Sequence, residues 1–151
     1  MRKKCKPKKT SCLDYPNLFE VYNAFHPIDD ALKAFRETGE LFISGDVLHI
    51  PAHENGKWYT FTPALNGWLT FWEYVITQKN LNVSISPLEQ LYEELVLLQD
   101  HEGPMLKNST IDAAIENQDI LRLVFKKLTI HEITIYFKTV TTFINNKIIS
   151  T

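Results

Sequence analysis

The strongest structural signal in this sequence is the start of a helix at Ser86-Pro87-Leu88-Glu89. This segment combines a cap hydroxyl, a proline at the first helical position and a glutamate three residues after the cap. Together they leave few backbone amide groups unpaired at the start of a helix. A leucine stripe at helical spacing follows, and its members are Leu88, Leu91, Leu95 and Leu98. The chain is therefore predicted to contain an amphipathic helix that packs on a core.

The N-terminal half carries two helical patterns separated by a proline. Apolar residues at helical spacing predict a first helix from Asn17 to Phe25. Pro27 suits the first turn of a helix, so it predicts the start of a second one, which Gly39 ends. The two stripes consist of Leu18, Val21, Tyr22 and Phe25, and of Ile28, Ala31, Leu32 and Phe35.

The cap pattern recurs twice in the C-terminal part, each time ahead of an amphipathic stretch. These caps are Ser109 with Asp112, ahead of residues 111–127, and Thr129 with Glu132, ahead of residues 130–145. The last stretch is rich in threonine and isoleucine, so a strand is the competing prediction. Ile133, Phe137 and Val140 keep helical spacing, which favours a helix.

The pattern changes from helical to strand-like near residues 40–62. Leu41–Ile43 and Val47–Ile50 flank a Ser-Gly-Asp turn, and the aromatic segment Trp58–Thr62 follows a second turn. The sequence therefore predicts an α+β fold that is mainly α-helical. It should contain about five to six helices and a small three-stranded antiparallel β-meander.

Charge is distributed unevenly along the 151 residues. The first nine residues include six basic ones: Arg2, Lys3, Lys4, Lys6, Lys8 and Lys9. Ten other lysines and arginines then face 18 acidic residues, so the chain after Thr10 carries a net charge of −8. We expect a flexible basic arm at residues 1–12 and a single globular domain at residues 13–151.

A few features bear on the cellular location. The apolar runs are shorter than the roughly 18 residues that a membrane span needs. Polar residues interrupt the place where a secretory leader would be apolar. Cys5 and Cys12 are expected to be free thiols. These features predict a cytoplasmic protein, or a nuclear one in a eukaryote, where Lys3–Lys9 would read as an import signal.

Histidines supply the candidate catalytic chemistry. His49, His53 and Glu54 on the predicted meander could form the site of a small enzyme. Pro51 lies between the two histidines, so the helical spacing that places two histidines on one zinc ion is missing. We therefore predict no catalytic residue, no metal and no cofactor, and the enzyme interpretation ranks last.

All three tryptophans lie between residues 58 and 72, and two interpretations of this cluster stay open. The helical spacing of Trp68 and Trp72 indicates packing in the core. Exposed tryptophans and tyrosines would instead anchor a protein partner. Nearby, residues 80–106 contain five acidic residues and no lysine or arginine, which gives the helix at residues 86–101 an acidic face.

The leading prediction is a non-enzymatic interaction or regulatory protein that binds another protein through the aromatic segment 58–74 and the acidic helix 86–101. The predicted partner-binding residues are Trp58, Tyr59, Trp68, Trp72, Glu89 and Glu93. The two C-terminal amphipathic stretches could also supply a homodimer interface.

The first alternative is a nucleic-acid-binding protein or transcriptional regulator whose six basic arm residues neutralise phosphates. The order of helix, Pro27-started helix and hairpin resembles a winged helix, which implies that residues 28–38 form the recognition helix. On that helix, Asp29, Asp30 and Glu37 outnumber the basic residues. Because readers of DNA usually show the opposite charge bias, this function ranks second.

Overall fold

The computed structural model describes residues 14–38, 42–44, 47–51, 58–99 and 106–150, and the side chains of residues 14–37, 61–98 and 106–142. In chain order the elements are α1 (Leu18–Thr38), β1 (Phe42–Ser44), β2 (Val47–Pro51), β3 (Trp58–Thr60), α2 (Phe61–Lys79), α3 (Ser86–Gln99), α4 (Asn108–Phe125) and α5 (Ile130–Ser150). The basic arm lies outside the described residues.

The predicted α+β class is wrong. Five helices and the short loops between them supply the whole core among the side chains that the structure describes, so the interpretable fold is all-α. Between α1 and α2 the backbone pairs in the antiparallel order β1-β2-β3. The strands are three to five residues long, and their side chains lie outside the described residues. The strand pairing therefore adds no described layer to the core.

α1 is one continuous helix of 21 residues, so the prediction of two helices divided at Pro27 is wrong. Its start is capped reciprocally: the Asn17 N–H donates to Glu20 Oε1 at 2.9 Å, and the Glu20 N–H donates to Asn17 Oδ1 at 2.8 Å. Pro27 removes the hydrogen bond to the Asn23 carbonyl. The helix continues because both of its halves bury one shared face, made of Val21, Phe25, Ile28, Leu32 and Phe35.

α2 begins earlier than predicted. Phe61 and Thr62, the predicted end of a strand, are buried residues of its first turn. At the other end, Asn80 has a φ of 50°, a left-handed conformation that asparagine adopts more readily than most residues. The N–H of Leu81 donates to the Ile76 carbonyl at 3.0 Å and closes the last turn. This cap fixes the point at which the chain leaves α2 for α3.

α3 and α4 do not have the N-terminal caps that the sequence predicts. α3 begins at Ser86, one residue before the predicted first helical position at Pro87, and the hydroxyl that accepts the Ser86 N–H belongs to Ser84, at 3.0 Å. α4 begins one residue before Ser109, and its N-cap residue makes no side-chain cap hydrogen bond. The predicted cap by Ser109 and Asp112 is therefore wrong. Asp112 instead accepts a hydrogen bond from Arg36 Nε of α1 at 2.8 Å.

α5 is a helix, so the preferred prediction for residues 130–145 is confirmed over the strand alternative. Its predicted cap is also confirmed. The Thr129 N–H donates to Glu132 Oε1 at 2.9 Å, and the Glu132 N–H donates to Thr129 Oγ1 at 3.1 Å. Val140 is the one buried residue among the α5 side chains that the structure describes. The helix therefore lies on the surface of the core.

The centre of the core is a cluster of aromatic rings from α1, α2 and α4. Phe25 stands edge to face with Trp68, with the ring centroids 4.9 Å apart, and with Phe125 at 5.4 Å. Trp68 and Trp72 stand edge to face at 5.8 Å. Trp72 is fully buried and Trp68 is 6% exposed, which confirms that these two tryptophans are core residues.

A chain of side-chain hydrogen bonds joins the same three helices. Trp68 Nε1–H donates to Gln118 Oε1 at 2.7 Å, and Gln118 Nε2–H donates to Asp29 Oδ1 at 2.8 Å. Arg122 Nη1–H completes the chain by donating to Asp29 Oδ2 at 2.6 Å, and its guanidinium lies 5.0 Å from the Phe25 ring centroid. Because a buried polar group that loses its partner costs about 1–3 kcal/mol, this chain fixes how the helices pack.

Substitution of Pro27 tests the continuous helix. We expect Pro27→Ala to raise the free energy of unfolding by about 1–3 kcal/mol, since proline is disfavoured by that order in a helix interior. The measurement is urea unfolding followed by circular dichroism. Pro87→Ala is the matched control, because Pro87 lies in the first turn of α3 and should change stability little. A Pro27→Ala variant that is less stable than the parent would contradict a continuous α1.

Candidate functional site

The structure separates the predicted partner-binding residues into three groups. Trp68 and Trp72 lie in the core: Trp72 is fully buried, and Trp68 keeps 6% of its surface exposed. Trp58 and Tyr59 lie on the β3 backbone, and their side chains are outside the described residues. Glu89 and Glu93 lie on α3, where Glu89 is half-buried and Glu93 is exposed. The described part of the predicted surface is therefore acidic, and the aromatic anchors expected from α2 are absent from it.

A third carboxylate extends this acidic surface onto α2. Glu73 is exposed and lies close enough to Glu89 for the two carboxyl groups to interact. Partial burial of Glu89 raises the pKa of its carboxyl group, and the nearby charges of Glu73 and Glu93 raise it further. None of the three forms an ion pair with a lysine or arginine that the structure describes. We call Glu73, Glu89 and Glu93 the acidic edge.

A groove of about 390 Å³ between α2 and α5 borders the acidic edge. Its lining residues are Thr70, Glu73, Tyr74, Thr77, Thr139 and Val140. Tyr74 packs edge to face against Tyr136 of α5, with the ring centroids 5.6 Å apart. Glu73 therefore belongs both to the wall of this groove and to the acidic edge.

A second groove, of about 380 Å³, lies on the other side of α5, against α1 and α2. Pro27 and Trp68 line it from the core side, and Phe137 and Val140 line it from α5. Phe137 stacks on Phe71 with the ring centroids 4.1 Å apart, which holds α5 between the two grooves. The described lining of this groove contains no charged residue. It therefore offers less to a charged partner than the first groove does.

The histidine-centred site falls mostly outside the described residues. His49 lies on the β2 backbone, while His53 and Glu54 are not described. Within the described ranges, no group of three or more histidine, cysteine, aspartate or glutamate side chains could hold a metal ion. His26 Nδ1 lies 3.2 Å from Asp30 Oδ2 on α1, a pair one helical turn apart. This pair joins two turns of one helix.

The winged-helix interpretation is wrong. Residues 28–38 are the second half of α1 and not a separate recognition helix. Two of their polar side chains pair with α4: Asp29 accepts hydrogen bonds from Gln118 and Arg122, and Arg36 donates to Asp112. This half of the helix is therefore packed against the body. The basic arm residues, Arg2, Lys3, Lys4, Lys6, Lys8 and Lys9, lie outside the described residues.

Sequence reasoning missed Glu73 of α2 and Thr139 of α5 as residues that line the same groove. Both are polar residues on helices that were assigned by their apolar stripes, and a stripe does not tell which polar residues of two helices meet. The partial signal was the lack of lysine and arginine from residue 80 to 106, which left the acidic residues of α3 without nearby cations along the chain.

Comparison of the chain with protein-family models, curated proteins and solved structures yields no match. Among the described helices, none is long and apolar enough to cross a membrane.

The acidic edge makes stability depend on pH. Glu89 has a higher pKa in the folded protein than its ordinary value of 4.5. Its contribution is therefore fully present below pH 4.5 and is lost as the pH rises through the raised pKa. We expect Glu89→Gln to raise the free energy of unfolding at pH 7 by about 0.5 kcal/mol, and the gain should shrink towards pH 4.

The measurement is urea unfolding of the parent and the variant at both pH values. Glu116→Gln, an exposed glutamate of α4, is the control for the loss of one negative charge elsewhere on the protein. A Glu89→Gln variant that is no more stable than the parent at pH 7 would show that the carboxylates of the acidic edge do not repel one another.

Proposed function

We propose that this chain is a non-enzymatic interaction or regulatory protein that binds a basic, amphipathic segment of another protein. The observation that carries the proposal is the double position of Glu73, which lines the groove between α2 and α5 and lies beside Glu89 of α3. A basic segment along this line would meet negative charge on one side and apolar surface on the other. We place this function in the cytoplasm, or in the nucleus of a eukaryotic cell.

The charges support a cationic partner. Three carboxylates lie together without a described lysine or arginine as an ion-pair partner, and burial raises the pKa of Glu89, with repulsion from Glu73 and Glu93 raising it further. A lysine or arginine from a partner would relieve that repulsion, so binding would favour the ionised form of Glu89. Charge complementarity of this kind sets the choice of partner and the association rate more than the final affinity.

The lining of the groove favours an amphipathic partner over one that is only charged. Tyr74 and Val140 offer apolar surface on its two sides, and Thr77 and Thr139 give it a polar rim. Segments with apolar residues on one face bind such grooves with that face inward. Positive charges on the other side of the segment would then lie near the acidic edge.

The test is affinity capture from host lysate, followed by reconstitution with the recombinant partner. We expect the parent protein to retain a partner that the double variant Glu89→Gln/Glu93→Gln binds about tenfold more weakly, a loss of roughly 1.4 kcal/mol. The affinity should also fall as the salt concentration rises. Equal binding by the parent and the double variant would contradict the proposal, as would the absence of any partner.

A blocking substitution tests the groove separately. Thr139 lines the groove and is exposed, so Thr139→Arg should fill it and abolish binding without disturbing the core. Thr142→Arg is the matched control, because Thr142 is an exposed threonine of the same helix that does not line the groove. Loss of binding in both variants, or in neither, would show that the partner does not occupy the groove.

Two other expectations from the sequence remain hypotheses beside this proposal. Nucleic-acid binding by the basic arm predicts salt-sensitive affinity that is lost when residues 2–9 are deleted. A homodimer through the C-terminal helices predicts a concentration-dependent mass in sedimentation equilibrium. Neither involves the acidic edge, so Glu89→Gln/Glu93→Gln should leave both properties unchanged.

A further inference from the structure

The solvent-exposed face of α4 carries two large aliphatic side chains. Ile120 is 50% exposed and Leu123 is 61% exposed, while Leu121 and Phe125 of the same helix are buried in the core. Because an α-helix has about 3.6 residues per turn, Ile120 and Leu123 are neighbours near the middle of the outer face, opposite the buried one. A helix that packs on a core through one face normally presents polar side chains there. This pair therefore marks a candidate contact surface.

A residue of opposite charge lies one turn beyond each end of this pair. Glu116 precedes Ile120 by four residues, and Lys127 follows Leu123 by four. Both are exposed, and neither forms an ion pair with another residue that the structure describes. Lys127 lies in the tight turn that extends α4, where its N–H donates to the Val124 carbonyl at 2.9 Å. We call Glu116, Ile120, Leu123 and Lys127 the α4 stripe.

Two other carboxylates on the outer face of α4 are already neutralised within the chain. The pairs are Arg36 with Asp112 and Arg122 with Asp119. Among the described residues of this face, the charges without an ion pair are therefore Glu116 towards one end and Lys126 and Lys127 at the other. The two signs are separated along the helix, with the aliphatic pair between them.

The apolar and the charged residues of the α4 stripe share one centre. The point midway between Ile120 and Leu123 lies between residues 121 and 122, and so does the point midway between Glu116 and Lys127. When a two-fold axis relates two antiparallel helices, residues equally far from the axis along the chain lie opposite each other. Two copies of α4 packed about this centre therefore place Ile120 opposite Leu123 of the second copy, and Glu116 opposite its Lys127.

We propose that the α4 stripe is the interface of a two-fold symmetric homodimer in which two α4 helices pack antiparallel. The aliphatic side chains form its middle, and two ion pairs between Glu116 and Lys127 flank them. The ion pairs set direction and register more than affinity, because parallel packing would bring like charges together. With four aliphatic side chains at its middle the interface is small, so we expect a Kd of roughly 10–100 μM. At about 1 μM, a concentration suited to unfolding experiments, the chain is then largely monomeric.

The shared centre favours a second copy of this chain over other occupants of the surface. An unrelated protein needs no two-fold relation between the charges and the apolar residues. An anionic bilayer would repel Glu116, which lies within one turn of the aliphatic pair. The chain after Thr10 carries −8, so two copies repel each other over much of their surface. The α4 stripe offers both signs of charge, and it lies on a different helix from the acidic edge.

The experiment is sedimentation velocity of the full chain over roughly 5–500 μM, at low and moderate salt. We expect a reversible equilibrium between monomer and dimer that weakens modestly as salt screens the ion pairs. Ile120→Ala/Leu123→Ala should raise the Kd by about tenfold or more, since four aliphatic side chains leave the interface. Circular dichroism checks that the variants keep their helices, and Ile120→Ala alone serves as a milder variant.

Leu97→Ala/Ile135→Ala is the matched control, because it removes one exposed leucine and one exposed isoleucine from α3 and α5. This variant should dimerise as the parent does. Glu89→Gln/Glu93→Gln should do so too, which separates this proposal from the protein-binding groove.

Charge reversal tests the direction of packing. Glu116→Lys alone and Lys127→Glu alone each create two contacts between like charges, so each should raise the Kd by about tenfold. The double variant Glu116→Lys/Lys127→Glu keeps the net charge and restores both ion pairs, so it should dimerise as the parent does. An equimolar mixture of the two single variants should also dimerise, because opposite charges again meet at both contacts.

Three results would overturn the proposal. The first is a chain that stays monomeric over the whole concentration range, which would leave the α4 stripe to another occupant. The second is a dimer that Ile120→Ala/Leu123→Ala leaves unchanged, which would assign the interface to another surface. The third is a dimer that the single charge reversals do not weaken, or that Glu116→Lys/Lys127→Glu does not restore, because either result contradicts antiparallel packing about this centre.

Discussion

The fold depends on the contact between Trp68 and Gln118 at the centre of the aromatic cluster. The indole ring packs against Phe25, and its N–H reaches a glutamine that in turn bonds Asp29. A buried indole or amide without a partner is costly, so the apolar packing and the hydrogen bonds specify the same arrangement of α1, α2 and α4. The tryptophans that resembled a binding surface in sequence are therefore what holds these helices together.

Because α1, α2 and α4 form that centre, α5 is left on the outside. It lies against α2 through Phe137 and Val140, and grooves form on both of its sides. The surfaces available for binding are therefore set by what the core does not use. The groove on one side of α5 borders the acidic edge, and the described lining of the groove on the other side carries no charged residue.

Part of the fold and of the candidate site could be predicted from the sequence. The cap of α5 and the buried stripe of α3 follow from local patterns, because each is decided within one or two helical turns. Pro27 was misread since its effect on α1 depends on tertiary burial of both halves of the helix. The predicted fold class was wrong because short strand-like runs carry little information about what packs on them. Glu73 was missed because only the packing of α2 on α3 brings it to Glu89.

The most direct test of this account is hydrogen exchange of the Trp68 indole N–H, followed by NMR. The account predicts a signal that exchanges only through global unfolding, with the same protection as the slowest backbone amides of α2 and α4. Substitution Gln118→Ala should reduce that protection together with the stability of the fold. Exchange of the Trp68 indole at the rate of an exposed tryptophan would contradict the account, and would return this residue to the list of candidate partner anchors.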